Sequence, residues 1–250
     1  MSVLSKSSLL KEKASTPSTF SAAFWAGASI ALGASLFALI SSLNGDVTLY
    51  KWIGAGAFSV GLILIVFLKG QLFTGNNLMI YSILKREMTF MSLLRNWGFV
   101  YLGNFIGSIA FVCAIWFFHL NYVLDEGLVM RLAAIAKAKI SASSGVLFFK
   151  AIACNILVCL AVYHSIAAKK WWLKIIAVII PITLFVGLGF EHSIANMFLI
   201  PIGLVIGGGL NSFTAIGLFY NLLWVTLGNI IGGAVVSLVI FIRSHKEGIV

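Results

Sequence analysis

His192 lies next to Glu191 in a chain that is otherwise uncharged for long distances around it. The two sit in the break Gly187-Leu188-Gly189-Phe190-Glu191-His192-Ser193. A second break, Lys69-Gly70-Gln71-Leu72-Phe73-Thr74-Gly75-Asn76-Asn77, interrupts another apolar stretch. Irregular backbone surrounded by hydrocarbon persists only where protein or a watery cavity satisfies its polar groups. A helix restarting after such a break offers partial positive charge and N–H groups at its amino end. Two such ends turned inward suit a small anion. An imidazole donates a hydrogen bond when neutral and holds a proton when charged, so His192 is the candidate for meeting that anion. The competing reading is a structural histidine that ties down its own loop. Glu191 is expected to satisfy loop N–H groups, because a carboxylate would repel an anion.

Other chemistry is sparse. The cysteines (Cys113, Cys154, Cys159) fall in apolar stretches without zinc-site spacing and read as small buried hydrophobes. With no acidic cluster, neither a metal, a cofactor nor an enzyme's catalytic constellation is expected. Lys150 stands alone in its apolar run, where it could neutralise a buried acid, face a subunit interface or snorkel.

The surrounding elements are those of a membrane protein. Of 250 residues, 61% are apolar and 10% charged, against about a quarter charged in soluble domains, and the mean hydropathy is +1.08. This excludes a soluble enzyme, a disordered chain and a secreted disulfide scaffold. Uncharged runs place spans at Phe20–Leu43, Trp52–Leu84, Asn96–Leu124, Ile140–Ala168 and Ile175–Leu210, and a sixth at about Ile216–Ile242 after the Gly207-Gly208-Gly209 turn. Trp52–Leu84 and Ile175–Leu210 far exceed the roughly 20 residues of one crossing, and these two carry the breaks. No signal peptide is expected, and Ser2–Lys13 reads as a short interfacial helix. The organisation is a 1–19 amino-terminal segment, a 20–243 membrane domain and a 244–250 tail.

Six spans leave both termini on one side. That side carries Lys6, Lys11, Lys13, Lys85, Arg86, Arg95, Lys169, Lys170, Lys174, Arg243 and Lys246; the other carries Lys51, Arg131, Lys137 and Lys139. The asymmetry places both termini in the cytoplasm of a cell membrane. It also explains the +10 net charge without a nucleic-acid partner.

The chain repeats itself. Leu102-Gly103-Asn104-Phe105-Ile106-Gly107 returns as Leu227-Gly228-Asn229-Ile230-Ile231-Gly232, and Asn76-Asn77-Leu78-Met79-Ile80 is echoed by Asn196-Met197-Phe198-Leu199-Ile200. Spans 1–3 (about 20–124) and 4–6 (about 140–243) therefore form one duplicated unit. An odd number of spans per unit makes the repeat inverted, as in transporters and channels. Gly103, Gly107, Gly228, Gly232 and Gly233 are expected to serve close helix packing.

Gln71-Leu72-Phe73-Thr74-Gly75-Asn76 and Phe190-Glu191-His192-Ser193-Ile194-Ala195-Asn196-Met197 resemble the two signature stretches of the formate/nitrite transporter family. Pro201-Ile202-Gly203 and Gly228-Asn229-Ile230-Ile231-Gly232-Gly233 are also similar to family motifs. The resemblance implies an all-α, aquaporin-like protomer of six helices, the second and fifth broken, assembled as a homopentamer with a pore in each protomer. It implies passage of a small monovalent anion such as formate, nitrite or hydrosulfide, passive or linked to a proton. By motif position, Thr74 and His192 would be the central polar pair, supported by Asn155 and Asn196. Phe73 and Val158 would form one apolar constriction, and Leu62 and Phe185 the other. Lys139 resembles the family's vestibule lysine. One departure is Gln71, where many relatives carry Glu; Lys69 nearby is a second unusual residue. The rival reading, an aquaporin-like channel for water or neutral solutes, lacks paired Asn-Pro-Ala motifs here.

Overall fold

Short polar side chains start the helices where the apolar runs begin. Ser2, Ser15, Asp46 and Asp125 each accept a first-turn backbone N–H, the usual way of satisfying a helix's orphan donors. The computed structural model describes residues 2–122 and 124–246. Its helices are α1 (Val3–Lys13), α2 (Thr16–Ser41), α3 (Val47–Phe67), α4 (Phe73–Asn76), α5 (Ile80–Leu84), α6 (Phe90–Tyr122), α7 (Glu126–Ile140), α8 (Ser144–Ala167), α9 (Trp171–Gly187), α10 (Ser193–Ile206) and α11 (Ser212–Lys246). A 3-10 turn, Asn77–Met79, joins α4 to α5.

The fold is an all-helical inverted repeat. In the first unit α2 packs on α3 and α6; in the second α8 packs on α9 and α11. Gly103 and Gly107 of α6 lie directly on α2, and Gly228 and Gly232 of α11 on α8; any Cβ there would run into Ala23, Phe24, Phe148, Ala151 or Ile152. The glycines therefore let backbones approach, as small residues do between membrane helices. Tyr101 and Thr226 share a hydrogen bond of 2.9 Å. Their positions correspond in the two units, so this contact lies on the axis relating them.

Among the described residues, five helices are long and apolar enough to cross a membrane; α9 and α10 are shorter apolar helices. Large apolar side chains such as Trp25, Phe117, Phe149, Phe213 and Phe219 are exposed, as expected of a surface bathed in lipid or covered by neighbouring protomers. Cys113, expected to be buried, is exposed. Hydrogen bonds gather the element ends on two sides. Arg95 meets Thr16 and Tyr81 meets Ser244 on the amino-terminal side, while Arg131 meets Ser41 on the other.

The two broken spans are divided differently: the 21 residues of α3 precede the first break, while the 17 residues of α9 and the 14 of α10 flank the second. One feature differs from the sequence reading: the stretch between the third and fourth spans carries α7, a 15-residue helix packed on α10. The amino-terminal segment is helical, α2 begins at Thr16, and the last four residues of the 244–250 tail lie outside the described residues.

The same turn begins both breaks. Lys69 (φ 54°) and Gly189 (φ 68°) occupy the left-handed region. The next N–H in each, from Gly70 and Phe190, reaches back to the carbonyls of Ile65 at 2.8 Å and Phe185 at 2.9 Å. This is the closure that commonly ends a helix.

Candidate functional site

After each turn the chain enters the protein interior, and one asparagine fastens each entry. Asn104 Oδ1 accepts the Phe73 N–H at 2.9 Å, and its Nδ2 donates to the carbonyls of Ala23 and Gln71. Asn229 repeats the pattern in the second unit. It accepts the Ser193 N–H at 2.9 Å and donates to the carbonyls of Ala151 and Glu191. Both side chains are fully buried. In such surroundings an unpaired peptide group is costly, so these amides make the broken backbone tenable. The sequence reading took Asn104 and Asn229 only as parts of glycine-rich packing motifs. Their signal was identity at matching positions of the repeat, in segments otherwise apolar. The sequence reading expected the leading N–H groups of the restarted helices to face an anion; those of Phe73 and Ser193 are instead taken by Asn104 and Asn229.

The two tips meet through side chains. Thr74 Oγ1 lies 2.9 Å from His192 Nε2, and both residues are buried. His192 is also the N-cap of α10: its Nδ1 accepts the Ala195 N–H at 3.1 Å. A backbone N–H only donates, so Nδ1 carries no proton in this arrangement and the neutral ring holds it on Nε2. Nε2–H therefore donates to Thr74 Oγ1, and the threonine O–H remains available as a donor. The histidine ties down its loop through one nitrogen and faces the opposite tip with the other. Asn155 Nδ2 donates to the carbonyls of Thr74 and Asn229, at 3.3 and 2.6 Å, and so fixes the backbone beneath this pair.

Each tip carries a second amide cluster. Asn196 Nδ2 donates to Glu191 Oε2 at 2.6 Å and to Asn221 Oδ1 at 2.8 Å. Lys139 Nζ donates to both Glu191 oxygens, at 3.0 and 2.9 Å. The Glu191 carboxylate, expected to satisfy loop N–H groups, thus neutralises a lysine, and the loop N–H of Ser193 is held by Asn229. On the other side Asn76 Nδ2 donates to Gln71 Oε1 at 3.0 Å and to Asn96 Oδ1 at 2.8 Å, and Lys11 Nζ donates to Asn76 Oδ1 at 2.7 Å. Asn96, Asn221 and Lys11 were not singled out from sequence. The two asparagines again show themselves as matching positions of the repeat.

A cavity opens beside each cluster. One of about 420 Å³, on the amino-terminal side, is lined by Lys11, Leu62, Lys69, Gln71, Leu72 and Lys174, among others. One of about 260 Å³, on the opposite side, includes Phe58, Lys139, Lys150, Phe185, Glu191 and His192. Lys150 therefore lines a cavity. Leu62 and Phe185, paired in the sequence reading, line different cavities. Phe185 stacks on the His192 ring, with centroids 5.7 Å apart, and meets Phe58 edge-on at 5.7 Å. Phe73 packs against Trp97 and Tyr101, and neither it nor the buried Val158 lines either cavity. Among the described residues no cluster of three or more His, Cys, Asp or Glu could hold a metal.

The sequence profile of the formate/nitrite transporter family matches residues 2–242. The chain is 39% identical to the uncharacterized transporter YrhG of Bacillus subtilis, over 95% of this chain and 89% of that one. It is 34% identical to the formate channel FocA of Haemophilus influenzae, over 87% and 83% of the two chains. Among solved structures, an FNT family ion channel superposes with a TM-score of 0.86 at 26% identity, covering 96% of this chain and 98% of the other. A pentameric formate channel with formate bound does so with a TM-score of 0.79 at 30% identity, covering 92% and 98%.

Proposed function

Since the chain belongs to the formate/nitrite transporter family, a family of membrane transport proteins rather than enzymes, we propose that it is a pentameric channel passing formate, or an anion as small, through each protomer. The observation that carries this reading is the Thr74–His192 contact between two buried tips, with a lysine-bearing cavity on either side. The excess of basic residues on the terminal side supports a cell-membrane location with both termini in the cytoplasm.

An anion collects in either cavity near Lys11 or Lys139. Leu62 and Leu72 narrow the path on the amino-terminal side, and Phe58 and Phe185 on the other. Stripping an anion of water between such walls is very costly. The Thr74 O–H and the His192 Nε2–H between them replace part of that hydration. His192 keeps its cap on α10 only while Nδ1 is unprotonated. A proton that accompanies the anion therefore arrives with it, as the neutral acid, rather than from the imidazole.

Purified protein in liposomes tests this. Under a formate gradient, the vesicles exchange formate far faster than protein-free ones, while osmotic water flow is unchanged. Water flow without formate flux would overturn the proposal in favour of a neutral-solute channel.

A further inference from the structure

The two units supply each tip with a lysine from a preceding helix: Lys11 in the last turn of α1, Lys139 in the last turn of α7. Lys139 is neutralised by Glu191 at 2.9 Å. The position matching Glu191 is Gln71, an amide. Its Oε1 receives N–H groups from Asn76 and Asn96, and its Nε2 points to Thr19 Oγ1 at 3.4 Å. Lys11 then has only the neutral Asn76 Oδ1. Among the described residues no carboxylate pairs with it, and none lines the larger cavity, which also holds Lys69 and Lys174. On the Lys139 side, Lys51, Arg131 and Lys150 line the same cavity as Glu191, and the Lys150 carbonyl accepts the Glu191 N–H at 3.4 Å.

We propose that Gln71 is a positioning residue that sets the charge at the amino-terminal mouth: by withholding the counter-charge that its counterpart Glu191 supplies, it leaves Lys11 a free cation, so this mouth captures dilute anions better than it would with a carboxylate at position 71. This rests on the channel reading above. A single unneutralised charge in a low-dielectric funnel raises local anion concentration by about tenfold. Lys11 also makes that capture pH-dependent. Burial pulls its ammonium down to about 8, against a smaller opposing influence from Cys159. The charged groups around it are Lys69 and Lys174 in the cavity and Glu12 and Arg95 in a neighbouring cleft. The capture is therefore present below pH 8 and is lost as the pH rises through that value.

The test is formate entry from the amino-terminal side, measured in sealed vesicles of known orientation against formate concentration at pH 7 and pH 9. The unaltered channel should show a half-saturation that rises about threefold to tenfold between these pH values, with little change in maximal flux. Gln71→Glu should start at the higher half-saturation at pH 7 and stay flat to pH 9, because a nearby carboxylate neutralises Lys11 and holds it protonated. Lys11→Gln should give the same flat profile, and it decides the matter if Gln71→Glu does not assemble. Unaltered half-saturation and pH profile in the variants would overturn this inference and leave the channel reading standing. An unaltered protein that carries no formate would overturn the channel reading itself.

Discussion

The tip at Gln71 and the tip at Glu191 are built from the same parts, yet they do different work. In both, a left-handed turn ends a long helix, a buried asparagine fastens the re-entering backbone, and a second asparagine binds residue 71 or 191 to a partner amide. They differ where charge and chemistry enter. Leu72 caps α4 with no side-chain bond, whereas its counterpart His192 caps α10 and reaches across to Thr74. Gln71 leaves the charge of its lysine uncompensated, whereas Glu191 compensates that of Lys139. The duplicated scaffold therefore fastens the backbone at both breaks, and single departures from symmetry supply the central donor and the uncompensated lysine at one tip.

The largest effect is expected from breaking what the halves share. Asn104→Leu or Asn229→Leu leaves one N–H and two carbonyls without their side-chain partner. Each should cost about 3 kcal/mol or more, seen as a lower thermal midpoint in detergent and loss of assembled protein. Similar losses in both would confirm that the amides are equivalent; tolerance of either would break the comparison there.

A smaller effect is expected from making the second half resemble the first. Asn196 Oδ1 has no partner while Lys139 is held by Glu191. Glu191→Gln should free Lys139, which turns to that oxygen as Lys11 does to Asn76. Formate half-saturation from the Lys139 side should then fall about threefold to tenfold, read in the same oriented vesicles. An unchanged value would mean that the ion pair does not govern entry.

The smallest effect concerns the turns. Lys69 holds a left-handed conformation that Gly189 adopts without a Cβ. Lys69→Gly should stabilise the protein by about 1 kcal/mol, visible as a slightly higher thermal midpoint. A lower midpoint would show that the lysine's contacts outweigh its backbone strain.

Much of this architecture was legible because bilayer chemistry is so restrictive. Uncharged runs and the duplicated Leu-Gly-Asn segment gave six spans and their inverted relation, and the resemblance of the Gln71–Asn76 and Phe190–Met197 stretches to family signatures implied the pairing of Thr74 with His192. What was not legible depended on direction. Leu62 and Phe185 were paired although they line different cavities, since motif position does not reveal which mouth a side chain faces. Lys11 escaped notice because it is remote in sequence from Asn76, and only the folding of α1 against the 3-10 turn and α5 brings them together. The 15 residues of α7 carry too little apolar length to register as a span.

The central claim is that an anion crosses by way of the donor pair between the tips. His192→Asn tests it most directly. Asparagine is a good helix cap, so α10 keeps its start, but the shorter side chain cannot present a ring N–H to Thr74. Formate conductance per assembled channel, measured in planar bilayers at neutral pH, should fall at least about tenfold, the order of loss when a preorganised donor is removed, while oligomer size and thermal midpoint stay close to those of the unaltered protein. Undiminished formate conductance in a correctly assembled variant would contradict the account.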